Sequence, residues 1–401
     1  MTDTNSQKIE EILTRGVENI FPNKDFLKKK LASGEKLKFY LGIDPTGPTL
    51  HMGHAIPLMK LADLQKLGHE VILLIGDFTA MIGDPTDKSA TRKQLTKKEV
   101  LKNATLYKKQ ASKFLNFGFG GARLEYNSKW LAQMNFENVV SLASKITVQQ
   151  MIQRDMFQER LKEEKPIYVH EFLYPLMQGY DSVAMGVDGE IGGNDQTFNM
   201  LAGRDLMKEI SGKEKFVIAT KLLVDSTGKK MGKTEGNMIT LLDSPKDMFG
   251  KIMSWSDEMI GIGLELCTRL PMNEVEEIKN MSNPRDAKAR LAFEIVKTFY
   301  SEAEAKKAGE EFDKIFKNKE LPSDMPIFET SVSNYDIVDL LSDAKLAQSK
   351  KEAKRLIEGN GVAVISEGNE VKVKDWKQQI KLEDGMIVKV GSRKFVRIKT
   401  K

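Results

Sequence analysis

Leu37-Lys38-Phe39-Tyr40-Leu41-Gly42-Ile43 is an apolar run of strand length, and it stops at the turn Asp44-Pro45-Thr46-Gly47-Pro48. A helix is predicted to follow from about Gly53 to Leu67, with Leu58, Leu61, Ala62 and Leu64 on its apolar face. Pro57 is tolerable if it falls in the first turn, and Gly68 suits a C-terminal stop. Val71-Ile72-Leu73-Leu74-Ile75-Gly76-Asp77 is then a second short apolar run bounded by Gly and Asp. Strand, helix and strand within about 40 residues form a βαβ unit, which predicts a parallel sheet.

Outward from this unit, residues 1–36 read as a helical lead-in. Residues 98–190 carry helical patterns and few strand-like runs, so they read as an insertion between two halves of the sheet. Val183–Ile191 and Phe216–Val224 are later strand candidates. From Ser244 the texture is helical. Ser244-Pro245 and Asn283-Pro284 each set a capping side chain before a proline at the first helical position, and the periodic stretch Ala287–Tyr300 follows the second. Residues 319–334, with Pro322 and Pro326, read as a linker. Beyond it lie a basic helix near Ser349–Glu358 and short alternating strands at Val362–Ile365, Glu370–Val373 and Met386–Val390.

A chain of 401 residues is long enough for two or three domains and a sizeable core. Its 40% hydrophobic and 30% charged content is that of a soluble globular protein, and no apolar run approaches the roughly 18 residues of a membrane span. Met1-Thr2-Asp3-Thr4-Asn5 lacks the basic start of a signal peptide. Cys267 is the only cysteine, which excludes an internal disulfide or a multi-thiolate metal site and fits a reducing cytoplasm. Residues 331–401 hold 15 Lys and Arg against 10 Asp and Glu, so the whole net charge of +5 lies there. That placement points to a polyanionic partner for the last segment, a soluble basic tail being the bland alternative.

Two motifs carry chemistry. His51-Met52-Gly53-His54 opens the predicted helix, where backbone N–H groups and the helix dipole favour phosphate. Two histidines spaced by three share a face, and Gly53 lets a nucleotide approach the backbone. Some 180 positions later Lys230-Met231-Gly232-Lys233-Thr234 supplies two cations and a hydroxyl for a leaving group. Taken alone, the first motif also suits small nucleotidyltransferases, and the second could be a solvated basic loop.

Together, in this order and at this separation, the motifs resemble those of class I aminoacyl-tRNA synthetases (HIGH and KMSKS in the family). Tyr40-Leu41-Gly42-Ile43-Asp44-Pro45-Thr46, Ile82-Gly83-Asp84-Pro85-Thr86, Tyr174-Pro175-Leu176-Met177-Gln178-Gly179-Tyr180-Asp181 and Gly192-Gly193-Asn194-Asp195-Gln196 narrow the resemblance to the bacterial tyrosyl-tRNA synthetase family. Gln196-Thr197-Phe198-Asn199 matches its GG-x-DQ-x-FN branch. The resemblance implies an α/β fold: a Rossmann-like parallel-sheet catalytic domain over 1–243 with a helical insertion at about 98–190. A helical anticodon-binding domain over 244–320, a linker at 321–334 and a small α+β S4-like RNA-binding domain over 335–401 would follow.

It further implies that ATP and L-tyrosine are substrates, with Mg2+ accompanying ATP and no protein-held metal. Tyr40 and Asp181 would hold the tyrosine phenol. Asp84, Tyr174 and Gln178 would take its ammonium group, with Thr79 also lining the tyrosine site and Gln196 orienting the carboxylate. Gly42, Asp44, Gly53, Gly193 and Asp195 would bind ATP, together with Lys233. Thr46, His51 and His54 would stabilise the reacting phosphorus, and Lys88, Arg92, Lys230, Lys233 and Thr234 would close on pyrophosphate. These roles agree with chemistry, because a phenol pairs with one acceptor and one donor. A phenylalanine would leave both unmatched, and such sites discriminate by roughly 10⁴–10⁵ without editing.

Lys221 stands where related sequences commonly have proline, and no role for it is legible. Ser349–Glu358 followed by Gly359-Asn360-Gly361 resembles an S4 RNA-binding element, in which Lys350, Lys351, Lys354 and Arg355 would contact phosphates of tRNA(Tyr). A homodimer and a cytoplasmic location are implied by the same resemblance. The rivals are a tryptophan-specific relative, against which Tyr40 and Asp181 argue, and an RNA-binding factor without ligase activity, against which the intact motif pair argues.

Overall fold

The structure is a computed structural model that describes residues 2–86, 94–224, 238–316, 325–366, 369–391 and 394–400. It divides into two compact units, Met1–Ala305 and Lys306–Lys401.

In the first unit six strands form one sheet: β1 (Val17–Phe21), β2 (Lys38–Ile43), β3 (Glu70–Ile75), β4 (Arg123–Tyr126), β5 (Gly189–Gly193) and β6 (Phe216–Thr220), in the order β1-β6-β5-β2-β3-β4. Five strands run parallel, and only β1 is antiparallel, to β6. Parallel strands bring their carboxyl ends to one edge, where ligands bind in open α/β sheets. The edge here consists of Ile43–Asp44, Ile75–Gly76, Gly193 and Thr220.

The helix between β2 and β3 spans Met52–Lys66. It buries Met52, Ala55, Ile56 and Met59 as well as the four expected apolar residues, because it is enclosed by the sheet and by neighbouring helices. Pro57 is the sixth helical residue, one turn later than expected. Gly68, with φ of +92°, takes the left-handed geometry that ends the helix. Lys60 of this helix is buried and donates at 2.7 Å to the carbonyls of Ile12 and Arg15 at the end of the Ser6–Thr14 helix. Burial pushes its ammonium down to about 8.

Several expectations need correction. The lead-in is not wholly helical, since β1 lies within it and pairs with β6 through a bulge. Its sequence, Val17-Glu18-Asn19-Ile20-Phe21, has no clear alternation. The helical stretch 98–190 contains β4 as the edge strand of the sheet, too short at four residues to stand out. Val183–Met185 closes the Val169–Met185 helix, and the strand begins only at Gly189. Ser244 and Asn283 cap helices Pro245–Met253 and Pro284–Phe299 as expected, but these helices belong to the same compact unit as the sheet. Arg15 ties in a third helix of this region, Met259–Cys267, donating to the carbonyls of Glu265 at 2.9 Å and Leu264 at 3.1 Å.

The second unit holds β7 (Ile327–Thr330), β8 (Asn334–Asp336), β9 (Val362–Ser366), β10 (Asn369–Lys372), β11 (Gln379–Lys381), β12 (Ile387–Val390) and β13 (Lys394–Thr400). A five-stranded sheet runs β10-β9-β12-β13-β7, and β11 pairs with β8. β7 pairs in parallel with β13, so residues 327–330 belong to this sheet rather than to a linker. Ser349 caps the Lys350–Glu358 helix, which buries Ala353 and Ile357 against Val362, Val364 and Val388.

Candidate active site

The carboxyl edge of the sheet gathers most of the residues singled out in the sequence. Tyr40 on β2 and Asp181 in the Val169–Met185 helix are both buried. The Tyr40 hydroxyl lies 3.0 Å from Ser182 Oγ, which places it beside the Asp181 backbone. Asp181 accepts from Trp130 Nε1 at 2.7 Å and from Asn127 Nδ2 at 3.3 Å. Burial drives its carboxyl well above the usual range, with Glu190 and Asp44 adding repulsion, and these two donors pull the other way.

A second carboxylate stands above this floor. Asp44 accepts from Tyr174 Oη at 2.8 Å and from Thr79 Oγ1 at 2.7 Å. Thr79 in turn accepts from Asn127 at 3.0 Å, so Asn127 joins Asp44 to Asp181. Gly76 makes this possible, because a Cβ there would sit 1.9 Å from Asp44 Oδ1. Burial is the largest influence on Asp44 and pushes it up to about 7, with Asp84 and Asp77 adding repulsion. Asp44, expected at the nucleotide, is therefore bonded to residues expected at tyrosine.

Asp84 accepts from Gln196 Nε2 at 2.7 Å and from the hydroxyl and amide of Thr86 at 2.7 and 2.9 Å. Arg154, missed in the sequence, donates to the same Thr86 hydroxyl at 2.9 Å. Gln178 donates instead to Glu190, at 3.0 Å. Asp195 sits in the short turn after β5, and a Cβ on Gly193 would meet its Oδ1 at 2.5 Å.

The histidine pair forms a reciprocal cap. His51 Nδ1 accepts from Gly53 N–H, and His54 Nδ1 accepts from His51 N–H, both at 3.2 Å. With both Nδ1 atoms used as acceptors, each neutral imidazole carries its proton on Nε2 and is a donor there. A Cβ on Gly53 would lie 3.0 Å from His51 Cε1, so this glycine makes room for the imidazole itself. Thr46 is exposed on the turn after β2, and Gly42 is exposed within β2.

Lys88, Arg92, Lys230, Lys233 and Thr234 lie outside the described residues. The chain re-enters beside the histidines: Met52 N–H donates to Ile239 O and Leu241 N–H to Leu50 O, each at 2.9 Å. On the other side, Lys221 donates its amide to Gly16 O at 2.9 Å and its ammonium to Glu265 at 2.8 Å. Lys221 thus has a structural task, tying the segment after β6 to the helix Met259–Cys267.

Trp130 and Asn127 could not be picked out because they lie in a helix-rich stretch without a motif. In the second unit Lys350 pairs with Asp339 at 2.5 Å, and Lys354 stands 3.9 Å over the Trp376 ring. Lys351 and Arg355 are exposed. Among the described residues no group of three or more His, Cys, Asp or Glu is placed to hold a metal ion, and no helix is long and apolar enough to cross a membrane.

Comparison with known proteins agrees with this geometry. The model for tRNA synthetases class I (W and Y) matches residues 32–317, and the chain belongs to that family. A model for the Tyrosine--tRNA ligase SYY-like C-terminal domain matches 317–398. The tyrosine–tRNA ligase of Carboxydothermus hydrogenoformans is 45% identical over 97% of both chains. That of Thermotoga maritima is 44% identical over 97% of this chain and 96% of its own. Within the family, then, the relatives are tyrosine–tRNA ligases. The fold matches a C-terminally truncated mitochondrial tyrosyl-tRNA synthetase of Aspergillus nidulans, with a TM-score of 0.65 and 23% identity over 77% of this chain and 94% of that one. It also matches the Archaeoglobus fulgidus tyrosyl-tRNA synthetase complexed with L-tyrosine, with a TM-score of 0.59 and 22% identity over 76% and 100%.

Proposed function

We propose that this chain is a tyrosine–tRNA ligase that works at the carboxyl edge of its six-stranded sheet. The tyrosine carboxylate attacks the α-phosphorus of ATP, forming the acyl–phosphate bond as the bond to the β-phosphate oxygen breaks and pyrophosphate leaves. The tyrosyl group then passes to the 3'-terminal adenosine of tRNA(Tyr). Little covalent work falls to the protein, so positioning and charge stabilisation dominate.

The observation that carries this reading is that Tyr40 and Asp181 are both buried and near enough for the carboxylate to act on the Tyr40 hydroxyl, with Asn127 and Thr79 linking Asp181 to a second carboxylate, Asp44. In this assignment Asp181 accepts the phenolic proton and Tyr40 donates to the phenolic oxygen. The ammonium group goes to Asp84, Tyr174 and Gln178. Asp44 joins them through Tyr174 and Thr79, its affinity for a proton raised by burial. Gln196, held by Asp84, orients the substrate carboxylate. Gly42, Gly193 and Asp195 take the nucleoside, and Thr46 with the Nε2–H donors of His51 and His54 faces the phosphates. Lys88, Arg92, Lys230, Lys233 and Thr234 neutralise pyrophosphate. Magnesium accompanies ATP with phosphate oxygens as its main ligands.

The basic second unit, with Lys351 and Arg355 foremost, engages tRNA, and the helices of 245–299 read the anticodon region. The enzyme is cytoplasmic and homodimeric in this proposal. ATP–pyrophosphate exchange on the purified chain, with tyrosine and tryptophan compared side by side, tests the reading. Exchange that depends on tyrosine supports it; equal exchange with tryptophan, or none with either, overturns it.

A further inference from the structure

Beneath the phenol end of the pocket lies an ion pair that the sequence did not reveal. Lys215, just before β6, is fully buried, and its ammonium donates to Glu190 on β5, itself 2% exposed. The same ammonium donates to Ser182 Oγ at 2.8 Å, and that oxygen lies 3.0 Å from the Tyr40 hydroxyl. The other Glu190 oxygen accepts from Gln178 Nε2 at 3.0 Å. The fold makes room for this ammonium, because a Cβ on Gly203 would meet Lys215 Nζ at 2.5 Å. Gly203 also faces Gly179 across the crossing of the Val169–Met185 and Thr197–Ser211 helices, where a Cβ would stand 3.1 Å from the Gly179 Cα.

We propose that the Lys215–Glu190 pair is a positioning device that sets the hydrogen-bond polarity at both ends of the tyrosine pocket. An ammonium only donates, so Ser182 Oγ accepts from Lys215, and in the proposed arrangement it gives its own proton to the Tyr40 oxygen 3.0 Å away. Tyr40 then directs its own proton outward as a donor, toward the Glu190 carboxylate and, when tyrosine is bound, to the phenolic oxygen. A carboxylate only accepts, so Glu190 takes the Gln178 amide nitrogen and leaves the Gln178 carbonyl as an acceptor for an ammonium group. Lys215 and Glu190 touch no substrate; they act through Ser182, Tyr40 and Gln178. The proposal rests on the tyrosine reading of the site.

Ser182→Ala interrupts the relay at the phenol end and leaves the ion pair intact. The double variant Lys215→Met/Glu190→Gln removes both charges together, so neither is left buried alone. In pyrophosphate exchange, Ser182→Ala should lower kcat/KM for tyrosine at least about tenfold while leaving that for phenylalanine and the KM for ATP unchanged. The double variant should lower tyrosine likewise and also reduce phenylalanine several-fold, because the ammonium end is disturbed too. A merely structural role would lower both amino acids and ATP together. Tyrosine-to-phenylalanine discrimination that stays within about twofold of wild type in Ser182→Ala overturns the inference, and this variant decides alone if the double variant does not fold. Wild-type protein that exchanges nothing with tyrosine overturns the tyrosine reading itself, and the inference with it.

Discussion

The indole nitrogen of Trp130 donates to the carboxylate of Asp181 across 2.7 Å, joining two helices that are 51 residues apart in the chain. This bond, with that from Asn127, orients a buried acceptor. An acceptor held this way is ready for a phenolic proton before any ligand arrives.

Replacing it tests that role. Asp181→Ala should reduce kcat/KM for tyrosine by roughly ten- to a hundredfold or more, the range expected for a bond to a charged group. Removing a buried carboxylate offsets the loss of acceptor for Trp130 and Asn127, so the melting temperature should move by less than about 4 °C. Unchanged exchange kinetics would remove Asp181 from the phenol site.

Asp44 should make tyrosine binding pH-dependent. Its folded-state value is pushed from 3.8 to about 7, so the folded protein keeps a proton that the unfolded chain has lost. Its stabilising share is therefore present below about pH 4 and fades as pH climbs to about 7. A substrate ammonium reverses the shift, so binding should release a proton over this window and tighten as pH rises toward 7. Calorimetry in buffers of differing ionisation enthalpy measures that release. Asp44→Asn should abolish it; release that persists in the variant would point to another group.

Lys233→Ala addresses the proposed leaving-group cations. It should slow adenylate formation by at least about a hundredfold while changing the tyrosine dissociation constant by less than about threefold, because the charge matters only as pyrophosphate departs. Equal losses in both would argue for ground-state binding instead.

The second unit predicts a separation of activities. A chain ending at Phe316 should retain tyrosine-dependent exchange and lose tRNA charging. In the full chain, Lys351→Ala should weaken tRNA binding and lower the slope of log K against log salt by about one. Lys350→Ala should do less, since Lys350 is already paired with Asp339 at 2.5 Å. A slope identical to wild type for Lys351→Ala would take that helix out of the RNA contact.

The βαβ unit was legible because hydrophobic period and turn residues agree over Leu37–Asp77. The caps at Ser244 and Asn283 were legible for the same reason: a local side chain satisfies a local backbone group. Short edge strands such as β1 and β4 were not, since pairing partners rather than their own pattern define them. Within the site, residues in motifs could be named from the sequence, whereas Asn127, Trp130, Ser182, Glu190 and Lys215 gain meaning only from neighbours distant in sequence. Gly53, expected to let a nucleotide approach, also makes the space that the His51 imidazole needs.

The seam between Leu50–Met52 and Ile239–Leu241 is made wholly of main-chain atoms. Substitutions other than proline leave these donors and acceptors in place, so the chain re-enters beside the histidine turn whatever side chains the seam carries.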